Sequence, residues 1–488
     1  MTFLPPSQKP SDAATTPPAK ASHDSPYPPA LLDFMMRDWK VTPKKPPPQV
    51  KGLARFQARR AAVAAAHPGE TLIIPTGHEK VRANDTHYHF RPGSDFYYLT
   101  GNLEPDCVLV LVPKGKGHES LLFVEPNPGR SDSTFFTDRN KGELWVGPRL
   151  GVEESRHRYG VDRCAGLKEL PALLESMGKG RDRAFRVLRG LAADVDGPLP
   201  AAPKDAELAT FLSEMRLVKD SLEVAALKRA CASTRRGFED IIRILKAAKS
   251  EREVEGAFNS RARIEGNDVG YNTIAACGAH ACVLHWTRNN GKIGPNELIL
   301  VDAGVEGHEL YTADVTRTLP VGGKFKGAQR QVYELVLAAQ AAAFAAVKPG
   351  NDFMAPNRAA MEVLAHGLED MGILASAQEA LEPDKQYYKR YTLHNVSHML
   401  GIDVHDCAQA RAQAYKFGAL KPGMVLTVEP GLYFQKDDLT VPARYRGIGV
   451  RIEDDVLVTA RGYQILSDLP REPKDVERWM ASVWKASK

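Results

Sequence analysis

Two kinds of hydrophobic pattern divide this chain. Between about Gly52 and Pro200, short apolar runs are separated by proline and glycine, which is typical of buried strands joined by turns. The runs are LIIP, FYYLTG, CVLVLVP and SLLFVEP, and the alanine-rich stretch FQARRAAVAAA nearby has high helix propensity. This part of the chain is therefore predicted to fold as a mixed α/β unit.

Beyond a Pro- and Ala-rich linker at residues 197–207, the pattern becomes that of long helices and paired strands. Apolar positions at helical spacing predict helices over three segments: 213–245, as one helix or two, 329–348 and 357–371. Residues 267–286 alternate in the two-residue period of strands. We expect a strand pair there that turns at Gly278 and Ala279 and places His285 at a strand end.

The strongest local pattern is LILVDAGVEGHELYTADVTRTLP. Its first part, residues 298–304, is an apolar run that ends at a small-residue turn, and residues 311–318 alternate like a strand. Asp302 and Asp314 lie twelve positions apart, so a hairpin centred on His308 would place both carboxylates opposite each other on one face. Like charges placed that way repel. The pair is read either as two solvated strand-end aspartates or as ligands of a cation between them.

Two later strands carry further acidic residues. Residues 422–434 place Glu429 at the inner end of an apolar strand, and residues 446–458 place Arg451 and Glu453 on one face. A buried carboxylate is costly unless it is paired or ligated. Both glutamates are therefore candidates for a shared site.

Three histidines, His394, His398 and His405, lie within one short segment before these strands. The first two have the HxxxH spacing of the helical zinc motif HExxH, but Asn395 stands where that motif needs its glutamate. The helical zinc motif is therefore excluded. A lone histidine such as His285 is more often structural than catalytic, and these neighbours make it a candidate.

Composition and charge exclude several classes of protein. The chain has 488 residues, a hydrophobic content of 43% and a formal net charge of +5, without long runs of like charge. That charge is too small to indicate nucleic-acid binding, and no apolar span reaches the thickness of a bilayer. The N-terminus lacks a secretory signal pattern, and the six cysteines show no CxxC pair or secreted-scaffold spacing. We expect a cytoplasmic protein with no membrane partner and no thiolate metal site.

The organisation follows from these patterns. Twelve of the 34 prolines lie in the first fifty residues, which are predicted to form a disordered or extended arm, with one short helix over residues 30–39. The predicted parts are an arm at 1–51, an N-terminal domain at 52–205, a catalytic domain at 206–470 and a C-terminal tail at 471–488.

Five side chains form an oxygen-rich candidate metal site: Asp302, Asp314, His398, Glu429 and Glu453. Four carboxylates and one imidazole suit Mn²⁺, with Zn²⁺ or Co²⁺ as alternatives, and disfavour copper. Four anions exceed what one divalent ion needs. Two ions sharing bridging carboxylates, roughly 3.5–4 Å apart, are the usual arrangement for metal-assisted hydrolysis.

The motifs that carry these residues resemble those of a known family. In this order, DAG…ADVTRT, SHMLGIDVHD, VLTVEPGLYF and GVRIEDD look like the metal-site motifs of the pita-bread metallopeptidases, specifically the aminopeptidase P (Xaa-Pro aminopeptidase) group with its relative prolidase. The resemblance extends upstream to RPGSDFYYLTGNLEPDCVLVLVP and covers residues 52–470. The Pro-rich arm and the length resemble the longer enzymes of high-GC bacteria.

The resemblance implies an α/β (α+β) fold in which a creatinase-like N-terminal α/β domain precedes a pita-bread catalytic domain. It implies an aminopeptidase that removes the residue ahead of a proline, works on peptides with proline at the second position, and forms a homo-oligomer, as a dimer or tetramer. Asp314 and Glu453 would bridge two metals, Asp302 would complete one site, and His398 with Glu429 would complete the other.

The resemblance also assigns roles outside the ligand set. Glu429 would shuttle the proton from the attacking water to the leaving proline nitrogen, and His285 and His405 would lie beside the scissile peptide. The other assignments are His394 and Tyr433 in the pocket for the proline ring, and Arg451 and Tyr271 as residues that orient Asp302.

The chain departs from the family pattern, and three rival functions remain open. The interval between Asp302 and Asp314 is one residue longer than the family pattern, so the turn near Gly307 must absorb a residue, and Asn395 replaces a usual glycine. A prolidase would share every ligand and differ in pocket closure, for which residues 378–390 and 435–446 are candidates. A non-enzymatic binding module would have lost ligands, and a methionine aminopeptidase ordinarily lacks the N-terminal unit.

Overall fold

The computed structural model describes residues 26–40, 45–179 and 184–486. Much of the predicted arm lies outside these residues. The short helix predicted over residues 30–39 is present as α1 (Pro29–Met35), which buries none of its side chains. Trp39, just beyond it, packs against Phe136 at a ring-centroid distance of 6.2 Å and lies beneath the Arg130 guanidinium.

The N-terminal half is built on a five-stranded sheet with a small hairpin beside it. Its strands are β1 (Thr71–Pro75), β2 (Val81–Ala83), β3 (Thr86–His87), β4 (Val108–Lys114), β5 (Gly117–Val124), β6 (Arg163–Gly166) and β7 (Phe185–Val187). The sheet order is β6-β5-β4-β1-β7, and β2 pairs with β3. Three of the four predicted strands, LIIP, CVLVLVP and SLLFVEP, are β1, β4 and β5 and are confirmed.

Helices cover both sides of this sheet. They are α2 (Leu53–Ala66), α3 (Ser94–Thr100), α4 (Thr134–Thr137), α5 (Glu143–Val146), α6 (Val152–Tyr159), α7 (Leu170–Lys179) and α8 (Ala193–Asp196). The fourth predicted strand, FYYLTG, is wrong, because those residues form α3. The five side chains from Phe96 to Thr100 are all buried, so they show no alternation of polar and apolar positions that would separate helix from strand. Gly101 ends the helix in the left-handed conformation, with φ 68°.

The predicted linker at 197–207 is partly helical. Pro203 begins α9 (Pro203–Met215), a position that suits proline because the first helical N–H needs no partner within the helix. The next helix, α10 (Ser221–Leu245), begins after Asp220, whose side chain accepts hydrogen bonds from the backbone N–H groups of Leu222 and Glu223. The helical pattern from 213 onward is therefore two helices, and α11 (Glu251–Glu265) follows.

The C-terminal half surrounds short, mostly antiparallel strands with helices. Its strands are β8 (Asp268–Val269), β9 (Ile274–Cys277), β10 (Leu298–Ala303), β11 (Val305–Glu306), β12 (Val315–Pro320), β13 (Val425–Val428), β14 (Gly431–Tyr433), β15 (Gly449–Arg451), β16 (Asp454–Thr459) and β17 (Gly462–Ile465). Its later helices are α12 (Gly327–Ala346), α13 (Ala355–Asp370), α14 (Ala377–Leu381) and α15 (Pro473–Ala486). The sheets have the orders β12-β10-β9, β13-β16-β17, β14-β15 and β11-β8.

One apolar core holds these strands and helices together. Val301 and Val315 from the strands pack with Val332 and Val336 from α12, all of them fully buried. The helices predicted over 329–348 and 357–371 are α12 and α13 and are confirmed. The last helix, α15, buries Trp479 and Met480 against the same core. Across the described ranges, no helix has both the length and the apolar character that a membrane span requires.

The strand pair predicted within 267–286 is only half present. β9 is one strand of it, but residues 278–282 form a 3₁₀ helix and His285 lies in the turn that follows. Gly278 has φ 57°, a left-handed conformation that turns the chain away from the strand direction. His285 is therefore delivered by a loop and not by a strand end.

Candidate metal centre

The five predicted metal ligands line one cavity of about 560 Å³ in the C-terminal half. Chain segments that are far apart in sequence contribute its walls. Its lining includes Asp302, Asp314, His398, Glu429 and Glu453, together with His285, His394, His405, Tyr271 and Arg451. Tyr433 does not line the cavity and lies behind its wall, 5% exposed.

The two aspartates face this cavity from the β10–β12 pair. In the observed register Asp302 lies opposite Thr316, so Asp314 is its diagonal neighbour. The prediction that the two aspartates lie directly opposite each other is wrong by this register, although both carboxylates do share a face. The pairing is centred one residue later than His308, because Leu310 adopts a left-handed conformation with φ 63° within the connection.

A close approach of backbone segments brings the aspartates together. A β-carbon at Gly304 would lie 1.7 Å from the carbonyl oxygen of Ala313, so only glycine fits at this position. The Tyr271 hydroxyl lies 2.7 Å from Oδ1 of Asp302 and 2.5 Å from Oδ1 of Asp314. Its proton is shared by the two carboxylates, so Tyr271 contacts both aspartates and not Asp302 alone.

The other three ligands come from the strands beyond α14. His398 precedes an isolated bridge to β13, and its backbone N–H donates to Oγ1 of Thr427 at 3.1 Å. Glu429 follows β13, and Glu453 lies between β15 and β16, where its Oε2 accepts a hydrogen bond from Oγ1 of Thr316 at 2.6 Å. Each side chain is therefore held by a strand or by a bond to a strand.

Negative charge is concentrated where these residues meet. Ligand atoms of Asp314, His398 and Glu453 lie within 4.8 Å of one another. Nε2 of His398 is 3.3 Å from Asp314 and 3.4 Å from Glu429, and Nη2 of Arg451 donates to Asp302 at 2.5 Å. Two cationic groups thus face four carboxylates, which leaves an uncompensated negative charge in a buried place.

The pKa values show that burying these carboxylates together disfavours their charged forms. Burial, with the fields of the other carboxylates, raises the pKa of Glu453 well above its usual range and raises that of Asp302, while Arg451 opposes both shifts. Burial raises the pKa of Glu429 to about 7, although His398 lowers it. Burial would lower the pKa of His398, but Asp314 and Glu429 outweigh it and raise that pKa to about 9.

The donor set fits divalent cations. Carboxylate oxygens with one imidazole suit hard or borderline ions, and the excess negative charge is what bound cations would neutralise. Metal binding requires these groups to be deprotonated, so it would reverse the raised carboxyl pKa values. Among the described residues, Asp314, His398 and Glu453 have the tightest grouping of ligand atoms.

These shifts predict how the metal-free protein responds to pH. A histidine with a raised pKa in the folded state contributes stability that is fully present below its unfolded value and lost as pH rises through the folded value. For His398 that window is pH 6.5 to 9, and Glu429 acts in the same direction up to about pH 7. The pKa values of His394 and His405 are lowered, so they oppose this trend only below pH 6.5.

We therefore expect the metal-free protein to lose stability on the order of 3 kcal/mol between pH 6.5 and 9. Thermal unfolding after chelation, followed at several pH values, measures this. Protein loaded with Mn²⁺ is the control, and its unfolding temperature should not fall over the same window. A metal-free protein with equal stability at both ends of the window would contradict the assigned electrostatics.

A hydrogen-bond network surrounds the carboxylates. Arg451 donates from Nη1 to the Tyr433 hydroxyl at 2.9 Å and from Nε to Oγ1 of Thr316 at 3.1 Å, in addition to its bond to Asp302. The Tyr433 hydroxyl also lies 2.8 Å from Nε2 of His394. Tyr433 thus connects the arginine that orients Asp302 to a histidine of the cavity wall.

The three predicted histidines outside the ligand set reach the same cavity. The His405 ring lies edge-on to His398 at 4.4 Å, and burial together with the His398 field lowers the pKa of His405. Burial and the Arg451 charge lower the pKa of His394 to about 4, so it is neutral at pH 7. His285 faces the cavity from its exposed turn. Neutral imidazoles can donate hydrogen bonds to a substrate without adding charge.

Sequence reasoning missed one carboxylate of the surroundings. Asp455 is fully buried, and its Oδ2 and Oδ1 accept hydrogen bonds from the backbone N–H of Asp314 at 3.1 and 3.3 Å. Its Oδ2 also accepts from the Cys231 thiol at 3.2 Å. The only signal in the sequence was its place in the motif GVRIEDD, two residues after Glu453.

Comparison with known proteins identifies the family. Residues 225–460 match metallopeptidase family M24, and residues 56–186 match the aminopeptidase P N-terminal domain. The chain is 48% identical over 461 residues to Xaa-Pro aminopeptidase 1 of Streptomyces coelicolor, covering 93% of this chain and 92% of that one. The chain belongs to metallopeptidase family M24.

Solved structures of aminopeptidase P have the same fold as this chain. Aminopeptidase P from Escherichia coli, in its low-pH form, superposes with a TM-score of 0.79 at 32% identity, covering 89% of this chain and 99% of that one. A zinc-substituted Escherichia coli aminopeptidase P in complex with product gives 0.78 at 31% identity, with coverages of 88% and 99%. The predicted resemblance, the fold class and the prediction of an enzyme are confirmed. The chain is an M24 metallopeptidase, and Asp314, His398 and Glu453 are placed so that they could hold a metal ion.

Proposed function

We propose that this protein is an Xaa-Pro aminopeptidase, which hydrolyses the bond between an N-terminal residue and a following proline. The observation that carries the proposal is the convergence of four carboxylates and four histidines on one cavity of about 560 Å³. The relatives that match most of its length are named Xaa-Pro aminopeptidases. A non-enzymatic module would be expected to lose ligands, whereas all five are present here.

Two divalent ions would be held by Asp302, Asp314, His398, Glu429 and Glu453. When bound, such ions supply Lewis-acid activation of water and of the scissile carbonyl. Asp302, held by Arg451 and Tyr271, is proposed to lie on the side of the substrate's amino group. His285 and His405, which line the same cavity, would donate hydrogen bonds to the oxygen that gains charge in the transition state.

Glu429 would move the proton. Its carboxylate lies in the cavity next to His398, at 3.4 Å, and Oε2 is 3.6 Å from Nδ1 of His394. It would accept the proton of the attacking water and deliver it to the proline nitrogen, which must be protonated before it can leave. The proline ring is proposed to lie against His394, with Tyr433 fixing that histidine from behind.

Substrates of different length test this function. We expect the Mn²⁺-loaded protein to cleave Ala-Pro-Ala into alanine and Pro-Ala, and to cleave Ala-Ala-Ala about a hundredfold more slowly. Product analysis by mass spectrometry gives both rates, with Ala-Pro as the dipeptide comparison. Cleavage of Ala-Pro alone would mean a prolidase, and equal rates on both tripeptides would contradict proline specificity.

The two segments that were candidates for pocket closure, which would separate these two activities, lie outside the cavity lining. Residues 378–390 and 435–446 contribute no side chain to the lining of the described cavity. They are joined to each other by Arg390, whose Nε and Nη2 donate to the two oxygens of Asp438 at 2.9 and 3.0 Å. Because neither segment reaches the described cavity, neither contributes a side chain that would close it behind a dipeptide.

Three finer features complete the proposal. Mn²⁺ is the proposed metal because the ligand set is rich in oxygen, with Zn²⁺ or Co²⁺ as substitutes. A cytoplasmic location is proposed because all six cysteines are free thiols. A homo-oligomer is proposed because apolar side chains such as Phe34 and Leu144 are 75% and 57% exposed.

A further inference from the structure

Arg91, an arginine of the N-terminal half, contacts two of the backbone segments that lead to residues of the metal centre. It lies between β3 and α3, and its Nε donates to Oε2 of Glu306 at 2.6 Å. Its Nη2 donates to the carbonyl oxygen of Ile402 at 2.7 Å and to Oδ1 of Asp403 at 3.1 Å. One guanidinium thus joins two loops of the C-terminal half to the N-terminal half.

The first of these loops connects Asp302 to Asp314. Glu306 is the last residue of β11 and is 3% exposed. Its Oε1 accepts a hydrogen bond from Nδ2 of Asn267 at 2.7 Å, so its two oxygens are shared between Arg91 and Asn267. A buried carboxylate that loses its cationic partner is strongly destabilised. The position of Arg91 therefore fixes the position of the Glu306 side chain.

The second loop is the turn that carries His405. The backbone N–H of Gly401 donates to the carbonyl of Asp403 at 3.1 Å, and that of Asp406 donates to the carbonyl of Met399 at 2.9 Å. Val404 and His405 lie at the apex of this turn and both line the cavity. Whatever holds the two flanking aspartates therefore sets the position of the imidazole.

The two flanking aspartates share Arg216, which lies 3.5 Å from Asp403, but their other partners come from different halves of the chain. Asp406, 1% exposed, is bound by Lys219 at 2.9 Å and by Arg216 at 3.3 Å, both from the segment between α9 and α10. Asp403 instead accepts from Oγ of Ser94 at 2.5 Å and from Arg91. The Asp403 side of the turn is thus tied mainly to the N-terminal half.

We propose that Arg91 is a positioning residue of the active site, which fixes the His405 turn by holding it against the buried Glu306. The N-terminal half thereby supplies part of the scaffold on which His405 is arranged. This inference rests on the proposed peptidase function for its kinetic consequence, but not for its structural one.

Arginine suits this task better than lysine. Its planar fork presents donors in fixed directions, and here the donors reach three acceptors on two segments. A lysine at the same position keeps the charge but cannot bond Glu306, Ile402 and Asp403 together. The conservative variant should therefore restore only part of what a neutral variant loses.

The kinetic test compares Arg91→Gln and Arg91→Lys with a matched control. Arg55→Gln is the control, because Arg55 is another N-terminal arginine and pairs with Asp220 at 3.7 Å rather than with Glu306 or Asp403. With Ala-Pro-Ala we expect Arg91→Gln to lower kcat about tenfold and to change KM less than about threefold, because a misplaced His405 weakens transition-state contacts most. Arg91→Lys should fall between, and Arg55→Gln should stay within about twofold.

A double variant separates positioning from general destabilisation. If Arg91 acts through His405, Arg91→Gln should lower kcat no further in a His405→Ala background. Effects that multiply in the double variant would overturn the proposal, as would unchanged kcat in Arg91→Gln. Should Arg91→Gln not fold, the same comparison is made with Arg91→Lys and with Asp403→Asn, which removes the partner on the turn.

Hydrogen exchange gives a readout that needs no substrate. In Arg91→Gln we expect amides of residues 399–407 to exchange at least about tenfold faster, with α10 and α12 unchanged, whereas Arg55→Gln leaves this turn protected. Unchanged protection of the turn overturns the positioning role. A wild-type protein that cleaves no Xaa-Pro peptide would instead overturn the proposed function and leave the exchange result to decide this one.

Discussion

Replacement of Glu429 by glutamine is expected to lower kcat at least about a thousandfold while the fold and most of the bound metal remain. Glutamine has nearly the same shape and keeps an oxygen that can face a cation. It cannot accept and release a proton, so the transfer from water to the proline nitrogen has no carrier.

Kinetics, metal analysis and thermal unfolding of the same preparation check this expectation. The matched control is Glu309→Gln, because Glu309 lies in the connection between the two aspartates and pairs with Arg229 at 2.7 Å outside the cavity. The control should retain wild-type turnover. Turnover of Glu429→Gln within tenfold of wild type would contradict the shuttle role, and loss of both metal ions would show that Glu429 acts chiefly as a ligand.

Replacement of Asp314 by asparagine should remove both metal and activity. Asp314 is 3.3 Å from Nε2 of His398, shares the Tyr271 proton with Asp302, and belongs to the tightest ligand group of the described residues. Asparagine keeps the shape and lowers the negative charge by one. We expect the loss of at least one ion and a fall in kcat/KM of about a thousandfold or more, because a metal-assisted reaction cannot proceed without its ion.

Metal content after dialysis and kcat/KM at saturating Mn²⁺ measure the two effects. Asp268→Asn is the control, since Asp268 lies on β8 near the same loops with its side chain 45% exposed. An Asp314→Asn protein that kept both ions and near-wild-type kcat/KM would show that this carboxylate does not ligate. Together with Glu429→Gln, this experiment separates loss of the cation from loss of the proton carrier.

The two aspartates show how much of the site a local sequence pattern can predict. Their strands, their shared face and their approach follow from side-chain alternation, which the chain displays within about twenty residues. The register did not follow, because it depends on one left-handed residue, Leu310, and alternation does not show backbone conformation. A shift of one residue in the centre of the pair moved Asp314 from the opposite to the diagonal position.

The segment FYYLTG and the His285 loop show where local pattern fails. Aromatic residues favour strands, but the environment of the folded N-terminal half buries this segment on every side and accommodates it as a helix. His285 follows a 3₁₀ turn held by Glu251, which is fully buried and accepts hydrogen bonds from the backbone of Cys277 and from Trp286. No residue near His285 in the sequence indicates that partner.

What the sequence by itself determined was the set of candidate site residues, four carboxylates and several histidines, in motifs that resemble those of a metallopeptidase family. The tertiary structure decided which of these groups lie close enough to interact electrostatically and which have raised or lowered pKa values. It also decided that Arg91 joins the N-terminal half to the turn of His405. The physical reason is the separation along the chain over which each effect acts. Side-chain alternation and turn chemistry act between neighbours in the chain, whereas electrostatic pairing and desolvation act between groups that folding brings together from distant segments.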